Sequence, residues 1–189
     1  MRLIAIAACT ALALSACKRT ETPAAPATPA APAATTPAPA KANPPHDNLN
    51  AVAWVQTSVE YKALSEQTYR AAAEQLDKAL KEKNWDALVP EERGNAPTGL
   101  KPAVVMDVDE TVLDNSPYQA RLVRDGLDYD EVTWAQWVAE KKAKPVPGVV
   151  DFAKAAAAKG VTILYISNRA EHLKDATLAN LRSEGLPVA

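Results

Sequence analysis

Two short apolar runs, each ending abruptly in polar residues, constrain this chain more than anything else in it. Pro102-Ala103-Val104-Val105-Met106 leads straight into Asp107-Val108-Asp109-Glu110-Thr111, and Gly160-Val161-Thr162-Ile163-Leu164-Tyr165-Ile166 leads into Ser167-Asn168-Arg169. Runs without polar alternation, rich in β-branched residues, suit strands covered on both faces, as in parallel sheets. Between them, Pro147 to Lys159 reads as a helix. A Pro stands near its start, Val149, Phe152, Ala153 and Ala156 share a face, and Gly160 ends it. A second helical spacing follows at Leu173, Ala176, Thr177, Asn180 and Leu181, closed by Gly185. The order strand, crossover, strand, helix is an α/β unit. Open parallel sheets bind ligands beyond the carboxyl ends of their strands, and both runs place polar residues there.

Brought close at a strand end, Asp107 and Asp109 resist joint ionisation, so that one stays protonated or a cation neutralises both. An acid beside a nucleophilic carboxylate is a useful pair for moving a phosphoryl group. The hydroxyls of Thr111 and Ser167, with the backbone N–H groups after Asp107, are candidates to bind its oxygens. The plainer alternative is an Asp-rich turn without chemistry, and acids at the end of a buried apolar strand weigh against it. A calcium loop fails: with Asp107, Asp109 and Thr111 at positions one, three and five, Val112 falls where an EF-hand needs Gly, and Tyr118 where it needs Glu.

Upstream the sequence changes character. Asp47 or Asn48 can cap a helix, and no Gly or Pro interrupts the chain from there until Pro90. Tyr61, Leu64, Thr68, Ala72, Leu76 and Ala79 align on one face, so a packing helix or helix pair is expected. Eight of the fifteen Pro lie between Pro23 and Pro45, among Ala and Thr, with no bulky apolar side chain to repay ordering. That segment reads as a disordered, extended spacer. Met1-Arg2 followed by the apolar stretch Leu3 to Leu14 is too short to span a bilayer and reads as a secretory leader. Leu14-Ser15-Ala16-Cys17 resembles the bacterial lipobox, cut before Cys17, which then carries lipid. Lys18 after it, where no Asp stands, resembles the sorting signal for the outer membrane.

The expected order is a lipoprotein signal peptide over 1–16, the lipidated Cys and tether over 17–45, and one folded domain over 46–189 with an insertion at about 114–144. The balance of 21 Lys+Arg against 23 Asp+Glu argues against a protein that binds nucleic acid through bulk charge. Of the two Cys, Cys9 would leave with the leader, which excludes a disulfide framework.

Asp107-Val108-Asp109-Glu110-Thr111 resembles the first motif of the haloacid dehalogenase superfamily, and Ser167 its second. The string continuing through Val112-Leu113-Asp114-Asn115-Ser116-Pro117-Tyr118 is similar more specifically to class C acid phosphatases, the secreted lipoprotein nucleotidases of bacteria. Pro147-Gly148, Tyr165-Ile166-Ser167-Asn168-Arg169 and Asn48-Leu49-Asn50-Ala51-Val52 agree with that subgroup, and the resemblance covers residues 46–189. It implies a Rossmann-like parallel α/β sheet with an N-terminal helical element and a small cap insertion. It also implies a Mg²⁺-dependent phosphomonoesterase acting on nucleoside 5′-monophosphates. Asp107 would be the nucleophile that forms an aspartyl-phosphate, and Asp109 would protonate the leaving oxygen and then activate water. Mg²⁺ would be bound by the Asp107 carboxylate and the Asp109 backbone carbonyl. Thr111 and Ser167 would hold the phosphoryl group, and Trp134 in the insertion would stack on the nucleobase, with Trp137 left to helix packing. Trp54 and Trp85 are expected to pack, and His46 and His172 to be solvated or capping.

The family pattern places a Lys and a further acidic motif downstream of Ser167, and neither Lys174 nor Asp175 matches them. The expectation is a C-terminally truncated domain with an exposed apolar sheet edge and little turnover of its own. The rival from another class is a catalytically silent surface lipoprotein that binds a nucleotide or a protein on the same fold. Phosphotransfer between substrates on this scaffold is a third.

Overall fold

The structure, a computed structural model, describes residues 45–83, 85–94 and 99–188. The leader, Cys17 and most of the Pro-rich tether lie outside the described residues. The elements in chain order are α1 (Leu49–Thr57), α2 (Val59–Ala79), β1 (Ala103–Asp107), β2 (Leu113–Asp114), α3 (Ser116–Asp125), α4 (Glu131–Glu140), β3 (Lys144–Pro145), α5 (Val149–Ala158), β4 (Thr162–Ile166) and α6 (Lys174–Ser183).

The uninterrupted N-terminal stretch forms a helix pair. Ser58 takes an extended backbone, which stops α1, and its Oγ accepts from the Tyr61 N–H at 3.1 Å, which caps α2. Asn48 stands before α1 without a side-chain cap bond and instead donates to Gln119 of α3 at 2.9 Å. Of the apolar stripe on α2, Ala72 and Leu76 pack against the core and Leu64 is exposed; Tyr69 and Ala73, outside the stripe, pack there too. Farther along, Val149, Phe152, Ala153 and Ala156 of α5 are all buried, as the spacing predicts, and burial of Val149 and Phe152 stabilises by about 1.5–3 kcal/mol each.

β1 and β4 pair in parallel, from Ala103 opposite Thr162 to Asp107 opposite Ile166. The expectation of cover on both faces is overturned. Val104, Met106, Ile163 and Tyr165 pack on the core with Phe152 and Leu181, but Val105, Leu164 and Ile166 on the other face are 61%, 46% and 59% exposed. Among the described residues each of these strands pairs only with the other, so their outer edges are open as expected. Apolar residues at successive positions look equivalent in sequence; which face is covered depends on the elements that arrive against it.

The insertion grows from a small antiparallel stem in which Leu113 faces Pro145 and Asp114 faces Lys144. From it rise α3, ended by Gly126 in the left-handed conformation, and α4, capped by Asp130, whose carboxylate accepts from the Val132 and Thr133 N–H groups. Asn180 on α6 binds the backbone of Ala143 in both directions, at 3.2 and 2.9 Å, and ties the insertion back to the domain.

Candidate active site

The chain after β1 folds back on itself within a few residues. Val108, Val112 and Leu113 are at most 2% exposed and anchor the turn. The Val112 and Leu113 N–H groups both donate to the Val108 carbonyl, at 2.9 and 2.8 Å, and the Glu110 N–H donates to the Leu113 carbonyl at 2.9 Å. Between these anchors Asp109 and Thr111 are half-buried, and Glu110 takes a φ of +55° that a non-glycine residue rarely adopts. Tyr69 of α2 braces the turn from outside, its hydroxyl donating to the Thr111 carbonyl at 2.5 Å. Burial raises the pKa of that hydroxyl to about 12, which keeps it a donor.

The two predicted acids have unlike surroundings. Asp107 is exposed at the tip of β1 and makes no side-chain hydrogen bond among the described residues. Asp109 is held from two sides. Asn115 Nδ2 donates to its Oδ1 at 2.8 Å, and Arg169, at the exit of β4, reaches the same oxygen with Nη2 at 2.6 Å and Nε at 3.1 Å. Asn115 is 1% exposed and fully engaged, since its backbone N–H donates to Glu110 Oε1 at 2.9 Å and its Oδ1 accepts from Trp137 Nε1 at 2.9 Å. Trp137 therefore packs, as expected, and also orients the Asn that holds Asp109. The sequence contains Asn115 and Arg169 inside its most family-like strings, yet no local spacing signals that they converge on Asp109.

Glu110 is exposed as a residue, but its carboxylate end turns in towards Asn115. Desolvation there raises its pKa; the hydrogen bond from the Asn115 N–H opposes this, and Asp109 and Asp114 add repulsion in the raising direction.

Ser167 follows the residue paired with Asp107, so the two stand on adjacent strand ends at one rim of the sheet. Its Oγ accepts from the Arg169 N–H at 3.1 Å, which turns the chain away from β4. Asp107 and Thr111 line an open groove of about 530 Å³ between α2 and β1 with Tyr61, Leu64 and Phe152. Ser167 instead lines a smaller hollow of about 210 Å³ with Arg169, Tyr165 and Lys174. The rim is shared, and the hollows are separate. Trp134 is half-buried in an aromatic group with Tyr118 and Tyr129, and the Arg169 guanidinium carbon lies over its ring at 5.1 Å.

The remaining Trp and His residues line neither hollow. Trp54 packs edge-on against Tyr61, and Trp85 is about half exposed. His46 accepts from the Asn48 N–H and approaches the Leu127 carbonyl at 3.2 Å, while His172 is exposed.

The family model described as HAD superfamily, subfamily IIIB (Acid phosphatase), matches residues 9–188. Among solved structures, the class C acid phosphatase from Bacillus anthracis is similar at 42% identity with a TM-score of 0.64 over 74% of this chain. The same enzyme with tungstate bound matches at 41% identity, 74% coverage and a TM-score of 0.63. In both cases 53% of the solved chain is covered, so this chain spans about half the length of the structures it resembles. Matched by the family model from residue 9 to residue 188, with solved relatives above 40% identity, the chain belongs to the HAD superfamily, subfamily IIIB, the acid phosphatases.

Proposed function

We propose that this chain carries the phosphoryl-transfer centre of an acid phosphatase that hydrolyses phosphate monoesters, with nucleoside 5′-monophosphates as substrates. The observation that carries this reading is the division of labour between two acids at one strand end: a free carboxylate at Asp107 and a caged one at Asp109. Asp107 attacks phosphorus, the P–O bond to the leaving group breaks, and Asp109 gives that oxygen a proton. Water then attacks the aspartyl-phosphate while Asp109 takes its proton, releasing inorganic phosphate and restoring both side chains. Thr111 and Ser167 are the hydroxyls proposed to hold the phosphoryl oxygens. Tungstate, bound by the related Bacillus anthracis enzyme, is a tetrahedral oxyanion of the same kind as phosphate. Trp134 is the proposed platform for the nucleobase, with exposed Tyr129 beside it, because stacking accepts any base.

Among the described residues no group of three His, Cys, Asp or Glu side chains is placed to hold a metal. The Asp107 carboxylate and the Asp109 carbonyl are hard oxygen donors with no hydrogen bond among the described residues. So short a set fits a hydrated Mg²⁺ whose shell is completed by water and substrate oxygens. When bound there, Mg²⁺ would offset the repulsion between an anionic nucleophile and an anionic ester.

The test is release of phosphate from a nucleoside 5′-monophosphate with Mg²⁺ present, in a parent chain that continues through the Lys and acidic motifs the family pattern places downstream; the 189 residues alone should show little turnover. Asp107→Asn should lower turnover by at least about 10³-fold, as expected on loss of a nucleophile. Retained turnover in that variant rejects Asp107 as the attacking group, and nucleotide binding without hydrolysis in the parent chain supports the silent-binder alternative. Lipid attachment at Cys17 and outer-membrane residence are proposed from the leader alone. Cys17→Ser should move the protein out of the membrane fraction, and unchanged partitioning would remove that part.

A further inference from the structure

Arg169 is the least expected group at the rim. Its side chain is only 6% exposed, a costly place for a guanidinium unless every nitrogen is paired. All three are. Nε and Nη2 donate to Asp109, Nη2 also approaches Asn115 Oδ1 at 3.5 Å, and Nη1 donates to Thr177 Oγ1 at 3.0 Å. Thr177 is fixed in turn, its hydroxyl donating to the Leu173 carbonyl at 2.9 Å. The Trp134 ring of α4 lies against the same guanidinium. The cation is therefore held from α6 and from α4 as well as by the carboxylate it meets.

For Asp109 the consequence is asymmetric. Oδ1 accepts from Asn115 Nδ2 at 2.8 Å, Arg169 Nε at 3.1 Å and Arg169 Nη2 at 2.6 Å. Oδ2 accepts only the longer branch of the Nε contact, at 3.2 Å. An oxygen already taking three donors has no capacity left for a proton, whereas Oδ2 does. We propose that Arg169 is a positioning residue that makes Oδ2 of Asp109 the proton-exchanging oxygen and holds it in place, braced by Trp134 and Thr177. This rests on the acid–base role given to Asp109 above. Direct capture of the substrate phosphate by Arg169 is the competing role, and the committed donors argue against it.

Two measurements test it. A positioned acid matters only for esters whose leaving group needs a proton. Arg169→Lys keeps the charge but loses the planar fork, and Arg169→Met loses both. In each variant kcat on a nucleoside 5′-monophosphate should fall about 10²-fold, while kcat on 4-nitrophenyl phosphate, which leaves as a stable phenolate, falls less than about three-fold. Equal losses on the two esters, or undiminished kcat with a raised KM, overturn the proposal. The second measurement needs no turnover. In the ¹⁵N-labelled chain the Arg169 Nε–H signal should be protected from exchange, shift in Asp109→Asn, and stay in place when inorganic phosphate is added to saturation. Movement of that signal with phosphate, in the otherwise native chain, overturns the proposal. A 189-residue chain that hydrolyses neither ester shows only the little turnover expected of it, and the Nε–H signal then decides the role of Arg169.

Discussion

Replacing Asn115 by Ala tests the cage around Asp109 through stability, independently of any substrate. Three groups lose a contact at once: the Trp137 indole, the Asp109 carboxylate and, at 3.5 Å, the Arg169 guanidinium. The most exacting is the Trp137 indole N–H, because Trp137 is 2% exposed and water cannot reach it to substitute for Asn115 Oδ1. A buried donor left unpaired costs about 1–3 kcal/mol. Asp109 also loses a donor, but its side chain is 21% exposed and Arg169 remains, so that loss is discounted to about 0.5–1 kcal/mol. The sum is about 1.5–4 kcal/mol, large for one side chain. Urea unfolding with an unchanged m-value measures it. The mechanism is isolated by a cycle with Trp137→Phe, which removes the N–H itself. In that background Asn115→Ala should cost about 1–3 kcal/mol less, since no indole donor remains to be orphaned. A loss below about 0.5 kcal/mol for Asn115→Ala, or additive effects in the cycle, would refute the reasoning.

Two further outcomes follow from the same region. The folded-state pKa of Glu110 is raised above its ordinary 4.5, so the folded chain binds that proton more tightly than the unfolded chain does. The contribution is present below pH 4.5 and is lost as pH rises through the raised value. Glu110→Gln should therefore gain stability relative to the parent as pH is raised from below 4.5 towards neutrality, and a variant-minus-parent difference in urea midpoint that stays constant or falls across that range refutes it. At Gly148 the φ is +90°, and a Cβ there would lie 3.1 Å from Tyr69 Cβ and 3.2 Å from the Glu66 backbone of α2. Gly148→Ala should destabilise by more than about 1 kcal/mol in thermal unfolding, and by more than Gly126→Ala, which meets open space; equal effects would show that the α2–α5 approach is not tight.

Much of the site was legible before any coordinates. The apolar runs predicted both strands within two residues of their ends, and the motif residues Asp107 and Ser167 do emerge at adjacent strand ends. The glycines after α5 and α6, Gly160 and Gly185, sit where the helices stop, in the left-handed conformation. Asn115, Trp137 and Thr177 carried no such signal. Each is unremarkable in its own helix or turn, and its part in the cage comes from partners far along the chain: Asp109 and Arg169 are sixty residues apart.

What the sequence by itself determined is local. Periodicity places Val149, Phe152, Ala153 and Ala156 on one helix face, and an apolar run ending in acids places those acids at a strand tip, because side-chain direction follows backbone geometry. Tertiary structure alone decided which face of the β1–β4 pair is covered, since Val104 and Val105 differ only in what packs against them. It also decided that Asp109 is caged while Asp107 is free. Hydrogen-bond donors find an acceptor through distance and angle, and those are set only when α4, α6 and the strand ends come together.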